Sequence, residues 1–310
     1  MAFRDIMNNY FYGKQGKADM TLADLPANRR ELFFAVLKVR WSSLVGVNLL
    51  YLVIWIPAIA WTLFNLMALN GMQMAGDGAF TRSDYLGMVS TWLLVLFPLI
   101  AITGPWNAGV TYVLRNWARD QHSFILSDFW DAVKGNWKQA LPISAFSGAL
   151  PFLVSVGVQF YGGMVATSPI FTLPVALLVL VAVMWSLATM IMYDMLVTYD
   201  LRLRDIIRNS VLLTVGKLPW AVLIKLVTLI VPIIAFGLIQ LIPGGVQYIT
   251  LAVVLLYLLF MPAFNKLVTV SYANWLCETF LNTRIEGAQT NIGLRPENWD
   301  DTEYRPEDDE

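Results

Sequence analysis

Asp194, Lys225 and Lys266 are the ionisable side chains that fall inside long apolar stretches of this 310-residue chain. Charge within hydrocarbon is costly, so such groups face one another, a polar cavity or the interior of a helix bundle. At about 1.5 Å per helical residue, Asp194 lies roughly 12 Å into its stretch from Arg202, and Lys225 roughly 8 Å past Trp220. Lys266 lies near one end of the last stretch, and Asn48, Asn107 and Asn265 fall at similar depths. One chemistry open to this set is a polar site in which Asp194 pairs with Lys225 or Lys266 and the three amides line a cavity. A simpler arrangement also fits, with both lysines reaching to the membrane surface and Asp194 hydrogen-bonded inside the bundle.

Other chemistries are excluded by counting. One Cys (Cys277) and one His (His122) allow neither a disulfide framework nor a metal site built from several Cys and His ligands. No Gly-x-Ser-x-Gly elbow, phosphate loop or His-Glu-x-x-His run occurs. The chain therefore reads as non-enzymatic, with no catalytic residue, cofactor, metal or nucleic-acid partner indicated. His122, between Gln121 and Ser123, reads as a solvated linker residue, and Met72 and Met74 as ordinary filler.

The elements that must position these groups are long and apolar. The chain is 57% hydrophobic and 14% charged, where a soluble domain carries roughly a quarter charged residues. Six stretches reach the length of about 20 residues that crosses a bilayer: Ser42–Leu69, Met88–Leu114, Ala140–Phe160, Thr172–Val197, Trp220–Ile242 and Tyr248–Val270. Pro57, Pro98, Pro232 and Pro262 fall within them and predict kinks. The expected fold is all-α: a polytopic membrane protein with six transmembrane helices.

Charge sets the expected orientation. Of the 21 Lys and Arg residues, Arg82 alone falls in a segment expected outside the cell. The rest lie on the two ends, on the polar linkers Arg115–Gln139 and Asp200–Pro219, or on span ends beside them. The positive-inside rule then puts both termini in the cytoplasm of a plasma-membrane protein. Residues 1–41 are polar and basic, so the first span is expected to stay as an anchor. Residues 297–310 hold eight acids and one base, and without them the body is net positive. Two readings fit this tail, a solvated end and a docking segment for a basic partner.

Three segments align without gaps: Glu31–Trp41, Ser127–Trp137 and Ser210–Trp220. Each ends in Lys-x-x-Trp, through Lys38 and Trp41, Lys134 and Trp137, and Lys217 and Trp220. Lysine reaching lipid phosphate and tryptophan at headgroup depth suit an interfacial helix turning into the bilayer. The expectation is three parallel repeats of interfacial helix plus helical hairpin, at approximately 31–114, 127–199 and 206–282. A cytoplasmic segment 1–30 precedes this membrane domain of 31–282, and an acidic tail 283–310 follows it.

Several runs resemble the YesL-like family of bacterial integral membrane proteins. They are Asn48–Pro57, the run Thr103-Gly-Pro-Trp-Asn-Ala-Gly109, Asp128-Phe followed by Lys134-Gly-Asn-Trp-Lys-Gln139, and an opening from Tyr10 to Arg30. The family-like positions are Asn48, Pro57, Thr103, Gly104, Pro105, Asn107, Asp128, Phe129, Lys134, Asn136 and Gln139. The resemblance implies a role beside carbohydrate uptake, as an accessory component in contact with the membrane subunits of a sugar ABC importer. It supplies no catalytic residue. Two alternatives stay open: a self-contained small-solute transporter or channel, and a membrane scaffold whose tail recruits a cytoplasmic partner.

Overall fold

The computed structural model describes residues 25–74 and 81–296. The first part of the opening motif, the side chains of Met72 and Met74, and the acids beyond 296 lie outside the described residues. Among the described residues every regular element is helical.

Helix α1 (Arg29–Val53) starts at Asn28, whose side chain accepts from the Arg30 and Glu31 amides. After a short break α2 follows (Ile56–Met74). Helix α3 (Arg82–Ala101) opens on a capping box between Thr81 and Asp84. It gives way at Ile102 to α4 (Thr103–Ala118). Then come α5 (Ile125–Val165), α6 (Thr172–Thr198) and α7 (Leu203–Gly216). The chain ends in α8 (Leu218–Thr228), α9 (Ile230–Leu241), α10 (Val246–Leu259) and α11 (Met261–Phe280). Four helical runs, Arg29–Val53, Arg82–Ala101, Ile125–Val165 and Pro169–Thr198, are long and apolar enough to cross a membrane. The number rises to six if two bent pairs each count as one span: α7 with α8, bent by 96°, and α10 with the helix that follows, bent by 59°.

Several prolines stand where helices start or stop, while Pro142 and Pro151 lie inside the continuous helix α5. Pro57, Pro219 and Pro262 each take the second position of a helix, and Pro232 the third position of α9. A first turn has no use for the missing N–H. Only Pro98 of the four span prolines sits deep inside a helix, and α3 ends three residues later.

Burial divides the bundle into two zones. Among the described side chains of α2, α3, α9 and α10 the only buried residue is Ala58. Their apolar side chains stand exposed, as at Met67 (74%), Phe236 (67%) and Leu241 (79%). Water does not tolerate so continuous an apolar surface, and lipid does. Helices α2 and α3 have 19 and 20 residues, about 30 Å of helix each, which is the thickness of the hydrocarbon layer. The other zone is packed like a soluble domain. Twelve residues of α4 are buried, as are Leu187, Ala188 and the run Met190–Leu196 of α6 and ten residues of α11. Helix α1 adds Leu32, Val36, Leu44 and Val47, and α7 adds Ile206. This inner zone also holds most of the described charge.

The register within the inner zone shows how the three aligned segments are set. Helix α5 runs back along α4. A Cβ on Gly104 would overlap the Ala140 carbonyl and the Ser144 hydroxyl, and one on Gly109 would come within 2.6 Å of the Phe129 ring. Residues 127–137 therefore stand alongside α4, with Phe129 and Ala132 buried and Lys134 and Trp137 exposed. Segment 31–41 likewise runs along α11, since Arg29 meets Glu278 and Asn48 meets Ala263 further up. The third segment, across α7 and α8, turns by 96°, and the first ends at a kink in α1, where Arg40 leaves helical geometry (φ −108, ψ 15). The three segments share a sequence pattern but not one setting.

Candidate functional site at the layer of helix breaks

Each break strands backbone groups that a continuous helix would pair. In this chain side chains from neighbouring helices meet them. Asn48 is fully buried. Its amide donates to the Tyr257 and Leu258 carbonyls at 3.2 and 2.8 Å and accepts from the Ala263 N–H at 2.9 Å. The break between α10 and α11 is thus bridged from α1. Asn265 donates to the Thr228 carbonyl at 3.1 Å, where α8 ends. Ser144 donates to the Ala101 carbonyl at 2.5 Å, where α3 ends. Near the end of α1, Trp106 donates to the Leu50 carbonyl at 2.9 Å, and the Tyr51 hydroxyl donates to Asn107 at 2.6 Å. Asn107 in turn donates to Thr103 at 3.2 Å. The three amides singled out by depth all work at or beside helix breaks.

A cleft of about 450 Å³ opens where three of these breaks converge, between α1, α2, the α8–α9 junction and the α10–α11 junction. Its polar lining is Tyr51, Thr228, Tyr257, Asn265, Lys266 and Thr269. Leu52, Trp55, Ile59 and Leu229 supply apolar walls. The Lys266 ammonium lies 4.7 Å from the centre of the Tyr193 ring, a cation–π distance. Lys225 lies on α8 and does not line the cleft.

Asp194 lies deeper in the inner zone, fully buried, and among the described residues both its carboxylate oxygens lack a hydrogen-bond partner. The charges that act on it most are Arg119, Arg115 and Lys266. Among the described residues no ion pair within 4.0 Å joins it to either lysine. Among the described residues Arg119 Nη2 and Arg115 Nε are also without partners, so donors and acceptors of opposite sign stand unmatched in one neighbourhood.

A second polar centre escaped the sequence reading. Glu278 pairs with Arg29, accepts from Asn274 at 3.2 Å and from the Asn291 N–H at 3.0 Å, and lies 3.9 Å from Arg119. Arg119 donates to Asn274 at 2.6 Å. The chain after α11 returns over this centre: the Arg295 N–H donates to the Pro26 carbonyl at 3.0 Å. Gly293, at φ +79, leaves no room for a Cβ beside the Arg119 carbonyl. The Tyr199 hydroxyl donates to Asn282 at 2.5 Å, and burial pushes its pKa up, which keeps it a donor. Arg115, its pKa lowered by burial, donates to the Val197 carbonyl at 3.0 Å. The available signal was the Asn274–Glu278 spacing of four, one face of a helix that runs on past its apolar part.

The family-like residues serve packing and capping. Gly104 and Gly109 admit α5, and Pro105 stands in the first turn of α4. Asp128 accepts from the Ser123 hydroxyl at 2.7 Å and the Phe124 N–H at 2.9 Å, closing the start of α5. Phe129 packs on Trp106 at 5.0 Å. Asn136 donates to the Ala132 carbonyl of its own helix, and Gln139 to the Leu201 carbonyl at 3.1 Å. Of the anchors, Lys38, Trp41 and Trp220 are exposed, and Lys217 rests over the Phe280 ring at 5.1 Å. Among the described residues no three His, Cys, Asp or Glu side chains stand where they could hold one metal ion.

Residues 34–158 match the family described as protein of unknown function, DUF624, to which YesL belongs. The match takes in most of α1 through α5, with the Thr103–Gly109 and Asp128–Gln139 runs. Asp194, Lys225 and Lys266 lie outside it. No curated protein and no solved structure matches the chain.

Proposed function

We propose that the chain is a non-enzymatic bacterial plasma-membrane protein that acts as an accessory component of carbohydrate (oligosaccharide) ABC import. It docks on the importer's membrane subunits through its charged inner zone. Six crossings follow when each bent pair counts as one, and we read the inner zone and both termini as cytoplasmic from the positive-inside rule. One observation carries the docking reading. Phe34, Trp41, Phe124 and Leu126 are 65%, 61%, 69% and 63% exposed, and all lie on the packed inner zone rather than on the lipid-exposed outer helices. Beyond headgroup depth, exposed aromatic and aliphatic side chains such as Phe34, Phe124 and Leu126 favour a protein partner, while Trp41 at headgroup depth also suits a lipid anchor. The resemblance to YesL-like proteins supplies the importer as that partner. Affinity capture of the tagged chain from native membranes tests it. Importer permeases should elute with the wild type and much less with Leu126→Asp; an eluate without permeases sinks the reading.

A second reading, a self-contained small-solute transporter or channel, is favoured by the cleft at the helix breaks. Discontinuous helices around a polar cleft are a feature of secondary transporters. Reconstituted liposomes that pass no sugar, ion or amphiphile, with Asp194→Asn behaving as wild type, would remove it.

A further inference from the structure

We propose that the cleft between α1, α2, α8–α9 and α10–α11 is a binding site for a membrane lipid with an anionic headgroup, whichever of the two functional readings holds. The first argument is the order of the lining along the bundle axis. Asn265, Lys266 and Thr269 follow α11 from its break into the inner zone. Leu52, Trp55 and Ile59 run the opposite way, through the α1–α2 break into the outer zone. A ligand that fills the cleft is therefore polar at its inner end and apolar at its outer end. The boundary between the zones lies one hydrocarbon thickness from the far ends of α2 and α3, which is headgroup depth.

The second argument is charge. Lys266 is the one ionised group of the lining, and no Asp or Glu lines the cleft. Among the described residues no carboxylate lies within 4.0 Å of its ammonium, which rests on the Tyr193 ring instead. A basic pocket between transmembrane helices selects an anionic headgroup. A zwitterionic headgroup would bring a cation with no acid to meet it. The third argument is an unused acceptor: Asn265 gives its amide N–H to Thr228, while its Oδ1 is buried with no partner among the described residues. A headgroup hydroxyl supplies the missing donor. Entry is sideways, since Ile59 and Leu229 at the mouth are 43% and 40% exposed, alongside the apolar surface of the outer helices.

The test is native mass spectrometry of the detergent-purified full chain with phosphatidylglycerol or phosphatidylcholine added at equal concentration. Phosphatidylglycerol should bind preferentially. Lys266→Met should weaken that binding about fivefold, one lysine's worth of attraction to an anionic headgroup. Lys266→Arg should keep it, and Lys225→Met, outside the cleft, should leave it unchanged. Ile59→Trp fills the mouth without touching the charge and should also reduce binding, which keeps the test alive if Lys266→Met fails to fold. Equal binding of the two lipids, or full binding by Lys266→Met or by Ile59→Trp, overturns the proposal. So does inorganic phosphate that displaces the lipid at equal concentration, which would assign the site to a soluble anion.

Discussion

Asn48 and Ala263 are joined across the bundle: the Ala263 N–H, stranded at the start of α11, donates to the Asn48 side chain at 2.9 Å. The same amide donates to two carbonyls at the end of α10. One side chain on α1 thus completes a helix interrupted more than two hundred residues away, in surroundings with no water to take its place.

Asn48→Leu, close in volume, strands those three backbone groups. Each unpaired buried group costs about 1–3 kcal/mol, so the variant should lose several kcal/mol and melt well below wild type in micelles. Asn265→Leu, which strands one carbonyl at the edge of the cleft, should cost about a third as much by the same rule. Thermal unfolding followed by intrinsic fluorescence checks both, and equal melting temperatures for Asn48→Leu and wild type would refute the bridging role.

Gly109→Ala tests the contact of α4 with α5. The new methyl would meet the Phe129 ring and Val133, and forcing a methyl into a packed core costs about 1–3 kcal/mol. Gly46→Ala sits in open space on α1 and should raise stability slightly, since alanine is favoured over glycine within a helix by roughly 1 kcal/mol. Opposite shifts in melting temperature are expected, and a neutral Gly109→Ala would mean that α5 does not lie against α4 in this register.

How much of this was legible follows from where each signal resides. Apolar length is local, so the long apolar helical stretches could be read directly, though not where they break. Pro57, Pro98, Pro232 and Pro262 were also visible, but a proline that kinks a span and one that opens a new helix look alike without knowing who pairs the freed carbonyls. Asn48, Asn107 and Asn265 were found by depth, while their partners, set by packing across the bundle, were not. The upright setting of residues 127–137 was hidden for another reason. Lys134 and Trp137 form the exposed face of that helix whether it lies flat on lipid or stands against α4. Its other face carries Phe129 and Ala132, which fit the glycines of α4 only in three dimensions. Glu278, Arg29 and Arg119 are scattered along the chain and carry no shared motif.

Glu278→Gln tests the polar centre beneath the bundle. It removes the charge that Arg29 and Arg119 face and weakens the acceptor of the Asn291 N–H. Breaking a buried pair from one side costs about 3–5 kcal/mol, somewhat less here because Arg29 is 21% exposed. The segment that returns over this centre should loosen first. Limited trypsin digestion should cut at Arg284 or Arg295 faster than in wild type, and an unchanged rate would mean the return segment is held without Glu278.

Orientation is the last point open to a direct measurement. Cys277 is the single cysteine of the chain and is fully buried, so wild-type cells should not react with a membrane-impermeant maleimide. Arg82 and Arg284 are both exposed and lie at opposite ends of the bundle. Arg82→Cys should be labelled in intact cells, and Arg284→Cys only after the membrane is opened. The reasoning is electrostatic: every described lysine and arginine but Arg82 belongs to, or adjoins, the end that carries Arg284, and such an excess is retained on the cytoplasmic side. Labelling of Arg284→Cys in intact cells would turn the molecule over and leave its aromatic inner surface facing away from any cytoplasmic partner.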